Sequence, residues 1–330
     1  MAKKKSRQGD IPEDQEAALE LALMALQKDF GAGCVITGDR SRILGVEYIP
    51  SGSLGLDRIL GGGYAKGRII EVSGLESAGK TTLALHAVAE CQKAEGKAAF
   101  IDMEQSFDAE YAENIGVDIE KLLFSQPNSG EEALQILDTL TRTGAISLIV
   151  LDSVAALVPS AELEGSMLDN QMGLQARLMS KACRKLVSLL NKTNTCVIFL
   201  NQIRMKIGGY GSPDTVSGGN ALKFYSSQRL DIRRIATLER GEEKVGIKTK
   251  IKITKNKVAS PFKQTEVNIM FGRGLDLANE VSTKAIEKGP IKKTGTWFAL
   301  GEKSFQGQFS LDDYLRLNRE ALQDLMEKIV

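Results

Sequence analysis

The chain has 330 residues, 42% hydrophobic and 26% charged, with a formal net charge of +1; such a composition builds a large core and argues against a disordered or broadly basic chain. The four cysteines (Cys34, Cys91, Cys183, Cys196) form no C-x-x-C pair, and His86 is the only histidine, so a zinc site, a disulfide framework and a histidine-dependent hydrolase triad are disfavoured. No apolar run reaches the ~18 residues of a membrane span, and the basic tip from Met1 to Arg7 leads into polar residues, so a cytoplasmic location and no membrane contact are expected.

In chain order, Glu13 to Phe30 has apolar residues at helical spacing and reads as one amphipathic helix, packed either within the chain or on a neighbouring subunit. The glycine-rich stretch Ile49 to Gly63 reads as turns that position a strand. Arg68 to Ser73 is a short β-branched strand, and Thr82 to Glu90 a helix. Between them Gly74-Leu75-Glu76-Ser77-Ala78-Gly79-Lys80-Thr81 fits G-x-x-x-x-G-K-[ST] at every fixed position. In that setting, backbone amides and a helix N-terminus form an anion nest, Lys80 reaches the outer phosphates, and the Thr81 hydroxyl suits a magnesium ion. Mg-nucleotide binding follows.

Ala98 to Asp102, Leu148 to Ser153 and Thr195 to Gln202 are apolar runs of the kind buried on both faces. With helices expected over 131–143 and 174–190, they predict a doubly wound α/β core with a mostly parallel sheet. Ligands then lie at the carboxyl ends of the strands, where Glu104, Asp152 and Gln202 fall. Asp152 has the place of a Walker B acid, and Glu104 could activate a water. Gln202 reads either as a γ-phosphate sensor or as a strand end. His86 reads as structural. Two long connections, 159–173 and 203–219, are candidate functional loops; the second carries cations, apolar wedges and glycines that suit single-stranded nucleic acid. Segments near 230–235, 246–255 and 265–271 alternate as antiparallel strands that extend the sheet. The core is expected to end near Gly274. A small α/β domain follows, with helices over 281–288 and 312–329.

These blocks, together with Phe100-Ile101-Asp102-Met103-Glu104, Leu151-Asp152-Ser153, Met172-Gly173-Leu174-Gln175-Ala176-Arg177, Asn201-Gln202-Ile203-Arg204-Met205-Lys206-Ile207-Gly208, Gly218-Gly219-Asn220-Ala221-Leu222-Lys223-Phe224-Tyr225 and Lys255-Asn256-Lys257, resemble the bacterial RecA recombinase family over nearly the whole chain. The resemblance implies a P-loop NTPase core of RecA type over 41–274, a basic tip and polymerisation helix over 1–40, and a C-terminal domain over 275–330. It implies a DNA-dependent ATPase for recombination and repair that forms a helical homopolymer on single-stranded DNA, pairs it with double-stranded DNA, and stimulates an SOS repressor's self-cleavage. An ATP-switched regulatory filament or scaffold is the alternative.

By residue match, ATP and Mg2+ would sit on Gly74, Leu75, Glu76, Ser77, Ala78, Gly79, Lys80, Thr81 and Thr82, with Asp108 and Tyr111 at adenine. Thr81 and Asp152 would serve the metal and Glu104 the water. Gln202 would be the sensor, and Lys255 and Lys257 would reach the neighbour's ATP. Phe224 would lie at a subunit interface. Met172, Arg177, Arg184, Arg204, Met205, Lys206, Ile207, Gly218 and Gly219 would meet DNA. The chain departs from the family's usual residues at Leu75, Ala78, Gln105, Ala109, Leu168, Gln171 and Tyr210. It ends at Val330 without the acidic tail common in the family, so inhibition by such a tail is not expected.

Overall fold

The computed structural model describes residues 13–31, 34–35, 45–165, 173–205, 214–216 and 218–329. Two compact units divide the chain, residues 1–46 and 47–330. In the first, the helix Glu13–Phe30 spans 18 residues and leaves Leu19, Leu21, Met24 and Phe30 exposed.

The second unit is built on a large sheet whose strands are β3 (Ile69–Gly74), β4 (Ala98–Asp102), β5 (Leu123–Ser125), β6 (Leu148–Asp152), β7 (Cys196–Met205), β8 (Asp214–Val216), β9 (Gln228–Arg240), β10 (Glu243–Asn256), β11 (Gln264–Met270) and β12 (Gly274–Leu275); β1 (Tyr48–Ile49) and β2 (Tyr64–Ala65) pair separately. The order is β12-β11-β10-β9-β3-β7-β6-β4-β5, with β8 paired to β7. From β9 through β5 neighbouring strands run parallel, and from β9 to β12 they run antiparallel. Side chains alternate across the pleat, so Ile70, Val72, Phe100, Ile198 and Leu200 fill one apolar layer, while Ile69, Ile101, Val197 and Phe199 fill the other. The helix Lys80–Lys93 covers the first layer, and Gly130–Arg142 with Leu174–Thr193 cover the second. Each fully buried Leu, Ile or Phe adds roughly 1.5–3 kcal/mol, which is why the apolar runs set the sheet.

The structure departs from the sequence reading in several places. The stretch 49–63 holds a helix, Leu54–Leu60, between β1 and β2. Ser53 caps it by accepting from Leu56 N–H at 3.1 Å, Gly61 ends it at φ 93°, and Leu56, Ile59 and Leu60 are buried. Only seven residues long, it has too few turns to show a period. The first candidate loop contains a helical turn, Ser160–Glu164. The root of the second is strand-paired, with Ile203 opposite Val216 and Met205 opposite Asp214. The expected helix over 312–329 is two, Gln308–Leu317 and Arg319–Ile329, separated at Asn318. These helices, with Leu277–Lys288 and the sheet β13 (Lys292–Thr294), β14 (Trp297–Leu300) and β15 (Lys303–Gln306), enclose a third apolar cluster around Val281, Phe298, Leu311 and Leu315.

Candidate functional site

β3 ends at Gly74, and the next helix starts at Lys80, with Gly79 at φ 95° as its N-terminal cap. The loop cannot carry side chains at either glycine. A Cβ on Gly79 would lie 2.3 Å from Ile269 Cδ1, and one on Gly74 2.5 Å from the Ile232 carbonyl oxygen. Ser77 also takes a left-handed φ of 54°. Leu75, Glu76 and Ser77 are exposed while Ala78 is buried. Beneath Ala78, the buried Thr249 of β10 donates its hydroxyl to the Ala78 carbonyl at 3.1 Å. Lys80 folds back over the loop, its Nζ donating to the carbonyls of Leu75 (2.9 Å) and Gly74 (3.3 Å). Burial lowers its pKa, against the pull of the Asp152 and Glu104 carboxylates.

The acids converge on the same edge. Thr81 Oγ1 donates to Asp152 Oδ2 at 2.6 Å. Asp152 closes β6 and is buried; burial pushes its pKa up to about 6, the Thr81 hydrogen bond pulls it down, and the Glu104 charge pushes it up. Both groups are hard oxygen donors, which is the chemistry Mg2+ selects, so the residues fit that ion. Glu104 is exposed, and its Oε1 accepts from Gln202 Nε2 at 3.1 Å and from the Ser153 hydroxyl. Asp102 shapes the turn that carries Glu104, accepting from the N–H groups of Glu104 and Phe107 and from Gln126 Nε2, all at 3.1 Å.

Tyr111 OH meets Thr82 Oγ1 at 2.9 Å, and Asp108 caps the helix Ala109–Ile115 by accepting from Tyr111 N–H at 2.9 Å. Both residues expected at adenine therefore stand beside the start of the phosphate-loop helix. Lys255 and Lys257 are elsewhere. Lys255 pairs with Arg229, which pairs with Glu71 early in β3, and its Nζ donates to the Lys223 and Phe224 carbonyls at 2.9 Å. Lys257 N–H bonds the Ser227 carbonyl. This is the amino edge of the parallel strands, opposite the phosphate loop. Arg229 also forms a largely buried ion pair with Glu71 at 2.5 Å. Phe224 is 68% exposed at the same edge.

Among the expected DNA positions, Arg177 and Arg184 are exposed on the helix Leu174–Thr193, Gly219 is exposed, and Gly218 is buried. Arg204 and Met205 continue β7, while Met172, Lys206 and Ile207 lie outside the described residues.

The profile of the RecA N-terminal domain family matches residues 17–276. The chain is 50% identical to Protein RecA of Wolinella succinogenes over 324 residues, covering 97% of this chain and 93% of that one. It is 52% identical to Protein RecA of Nautilia profundicola over 320 residues (96% and 91%), and 50% identical to that of Campylobacter jejuni over 323 (97% and 94%). The chain belongs to the RecA family. Its α/β fold is the RecA fold, and membership makes it a DNA recombination and repair protein with DNA-dependent ATPase activity. Among the described residues, no helix is long and apolar enough to cross a membrane. Sequence reasoning missed the RecA-family chain's Ser153 hydroxyl on Glu104 and Thr249 under the phosphate loop. Thr249 had a legible signal, as a polar residue at an inward position between Ile247 and Ile251.

Proposed function

We propose that Mg2+-ATP binds at Gly74–Thr82, and that hydrolysis there controls polymerisation on single-stranded DNA and its pairing with double-stranded DNA. In this reading the loop amides and Lys80 hold phosphate oxygens, Thr81 and Asp152 hold the ion, and Asp108 and Tyr111 flank adenine. The bound ion neutralises charge across the outer phosphates. Glu104 takes a proton from the attacking water at a carboxylate oxygen, and Gln202 and Ser153 orient that carboxylate. Lys255 and Lys257 complete the site of a neighbouring copy, as arginine fingers do elsewhere, with Phe224 at the same junction. DNA is bound by Met172, Arg177, Arg184, Arg204, Met205, Lys206, Ile207, Gly218 and Gly219. The division into 1–40, 41–274 and 275–330, the cytoplasmic location and action on an SOS repressor belong to the same proposal.

One observation carries it. Glu104 Oε1 joins Gln202 at the root of the second loop to Ser153 beside the Thr81–Asp152 pair. The proposed base thus accepts a hydrogen bond directly from the proposed sensor. Glu104→Gln keeps size and hydrogen bonding but cannot take the proton, so phosphate release should fall by ~10²–10⁴. ATP should still bind, and dissociation from single-stranded DNA with ATP should slow. Hydrolysis that stays within about threefold of wild type removes Glu104 as base.

A further inference from the structure

Gln175 has no part in the reading above, yet its side-chain amide is fully engaged with backbone from two other segments. Nε2 donates to the carbonyls of Val154 (2.8 Å) and Leu157 (3.1 Å), with Ala155 O at 3.4 Å, and Oε1 accepts from Gly218 N–H at 3.1 Å. The partners fix the orientation of the amide: carbonyls on one side need the NH2, and an N–H on the other needs the oxygen. The turn Val154–Ala156 opens at Ser153, whose hydroxyl donates to Glu104. Gly218 closes the segment that opens at Gln202, whose amide donates to the same Glu104 oxygen. That segment is therefore anchored to Glu104 at both ends, directly through Gln202 and again through Gly218, Gln175 and the Ser153 turn.

The contact at Gly218 is close as well as hydrogen-bonded. A Cβ there would lie 2.7 Å from Val154 Cγ1, and one on Gly219 2.9 Å from Ala176 Cβ, with both glycines at positive φ. Gly173, also left-handed at φ 82°, caps the helix on which Gln175 is the second residue. The first candidate loop thus ends two residues before Gln175, and the Gln175 side chain holds both the closing end of the second loop and the turn behind Glu104.

We propose that Gln175 is a positioning residue that transmits the nucleotide state from the Ser153 turn to the closing ends of both candidate DNA loops. The inference rests on the reading of Gln202 as sensor and of 203–219 as a DNA loop. Two arrangements of one hydrogen-bonded element, each favoured by a different nucleotide, are what such coupling requires.

The test uses the full chain and a labelled oligothymidine, with its Kd measured in a slowly hydrolysed ATP analogue and in ADP. Gln175→Met removes all the amide's hydrogen bonds at similar length. Gln175→Glu keeps an acceptor for Gly218 but turns a carboxylate toward carbonyls, so either variant suffices if the other folds poorly. The ADP-to-analogue ratio of DNA Kd values should fall about tenfold, while analogue binding without DNA stays within about twofold of wild type. A merely structural strut would weaken DNA binding equally in both nucleotides, and that result overturns the inference. Gln202→Ala, run in parallel, separates the two readings. A ratio lost in Gln202→Ala but kept in the Gln175 variants overturns the role of Gln175 alone, whereas a ratio kept in all three also removes the sensor reading.

Discussion

His86 faces the interior from the phosphate-loop helix, and its Nε2 accepts from Leu275 N–H at 2.7 Å, tying that helix to β12. The space around it is tight: a Cβ on Gly274 would lie 2.3 Å from that nitrogen, and one on Gly52 3.1 Å from Nδ1. Accepting a hydrogen bond at Nε2 needs the neutral ring, and burial lowers its pKa to about 4. The unfolded chain takes this proton near pH 6.5, the folded chain only near 4. The stability it contributes is whole above about 6.5 and is lost as pH falls through that window, reaching about 2 kcal/mol by pH 4.5. Denaturant unfolding at pH 7 and 4.5 should show wild type losing about 2 kcal/mol more than His86→Gln over that interval. Because it is the chain's only histidine, its NMR titration reads the site directly, and a folded-state midpoint near 6.5 contradicts the assignment.

β7 is the element on which the proposed chemistry and the proposed DNA contacts meet. Its first residues are core, its Asn201 donates to the buried Glu71 at 3.1 Å, and its Gln202 reaches Glu104. Beyond the parallel register it continues through Met205 as one side of a hairpin with β8. If Gln202 is the proposed sensor, a shift there would pass along a paired ladder and not into a bare connection. Arg204 and Lys206 lie on and just past that ladder in sequence. If they contact phosphates, Arg204→Ala with Lys206→Ala should weaken single-strand binding and reduce the slope of log Kd against log salt by about one to two. Binding of free nucleotide should be unaltered, and an unchanged slope rejects the contact.

The amino edge and the carboxyl edge of the sheet carry different parts of one proposed reaction. Lys255 is held by the carbonyls that end the helix Ala221–Tyr225, away from the phosphate loop of its own chain. Burial, then the charges of Lys257 and Arg229, lower its pKa; a neighbouring anion would relieve that clustering. A site completed by a second copy predicts complementation. Lys255→Ala/Lys257→Ala protein and Lys80→Ala protein, each inactive alone, should recover hydrolysis at mixed junctions. Background activity at several ratios, with filaments confirmed, excludes the arrangement between copies.

Much of this was legible in the sequence because the signals are local. The phosphate loop is eight consecutive residues whose glycines answer to backbone geometry. The strands at 98–102 and 148–152 announce themselves because a strand covered on both faces must be apolar at every position. The role proposed for Gln202, which spacing alone left open, comes from the family's long motif blocks. What the tertiary structure alone decided lies between distant positions. Ser153 and Gln202 meet Glu104 across 49 and 98 positions, and Thr249 props Ala78 across 171. Contacts of that separation leave no period or fixed spacing along the chain. They exist only once the parallel register brings the ends of β4, β6 and β7 to one edge, and the antiparallel pairing of β10 with β9 sets Thr249 beneath the loop and carries Lys255 to the other edge.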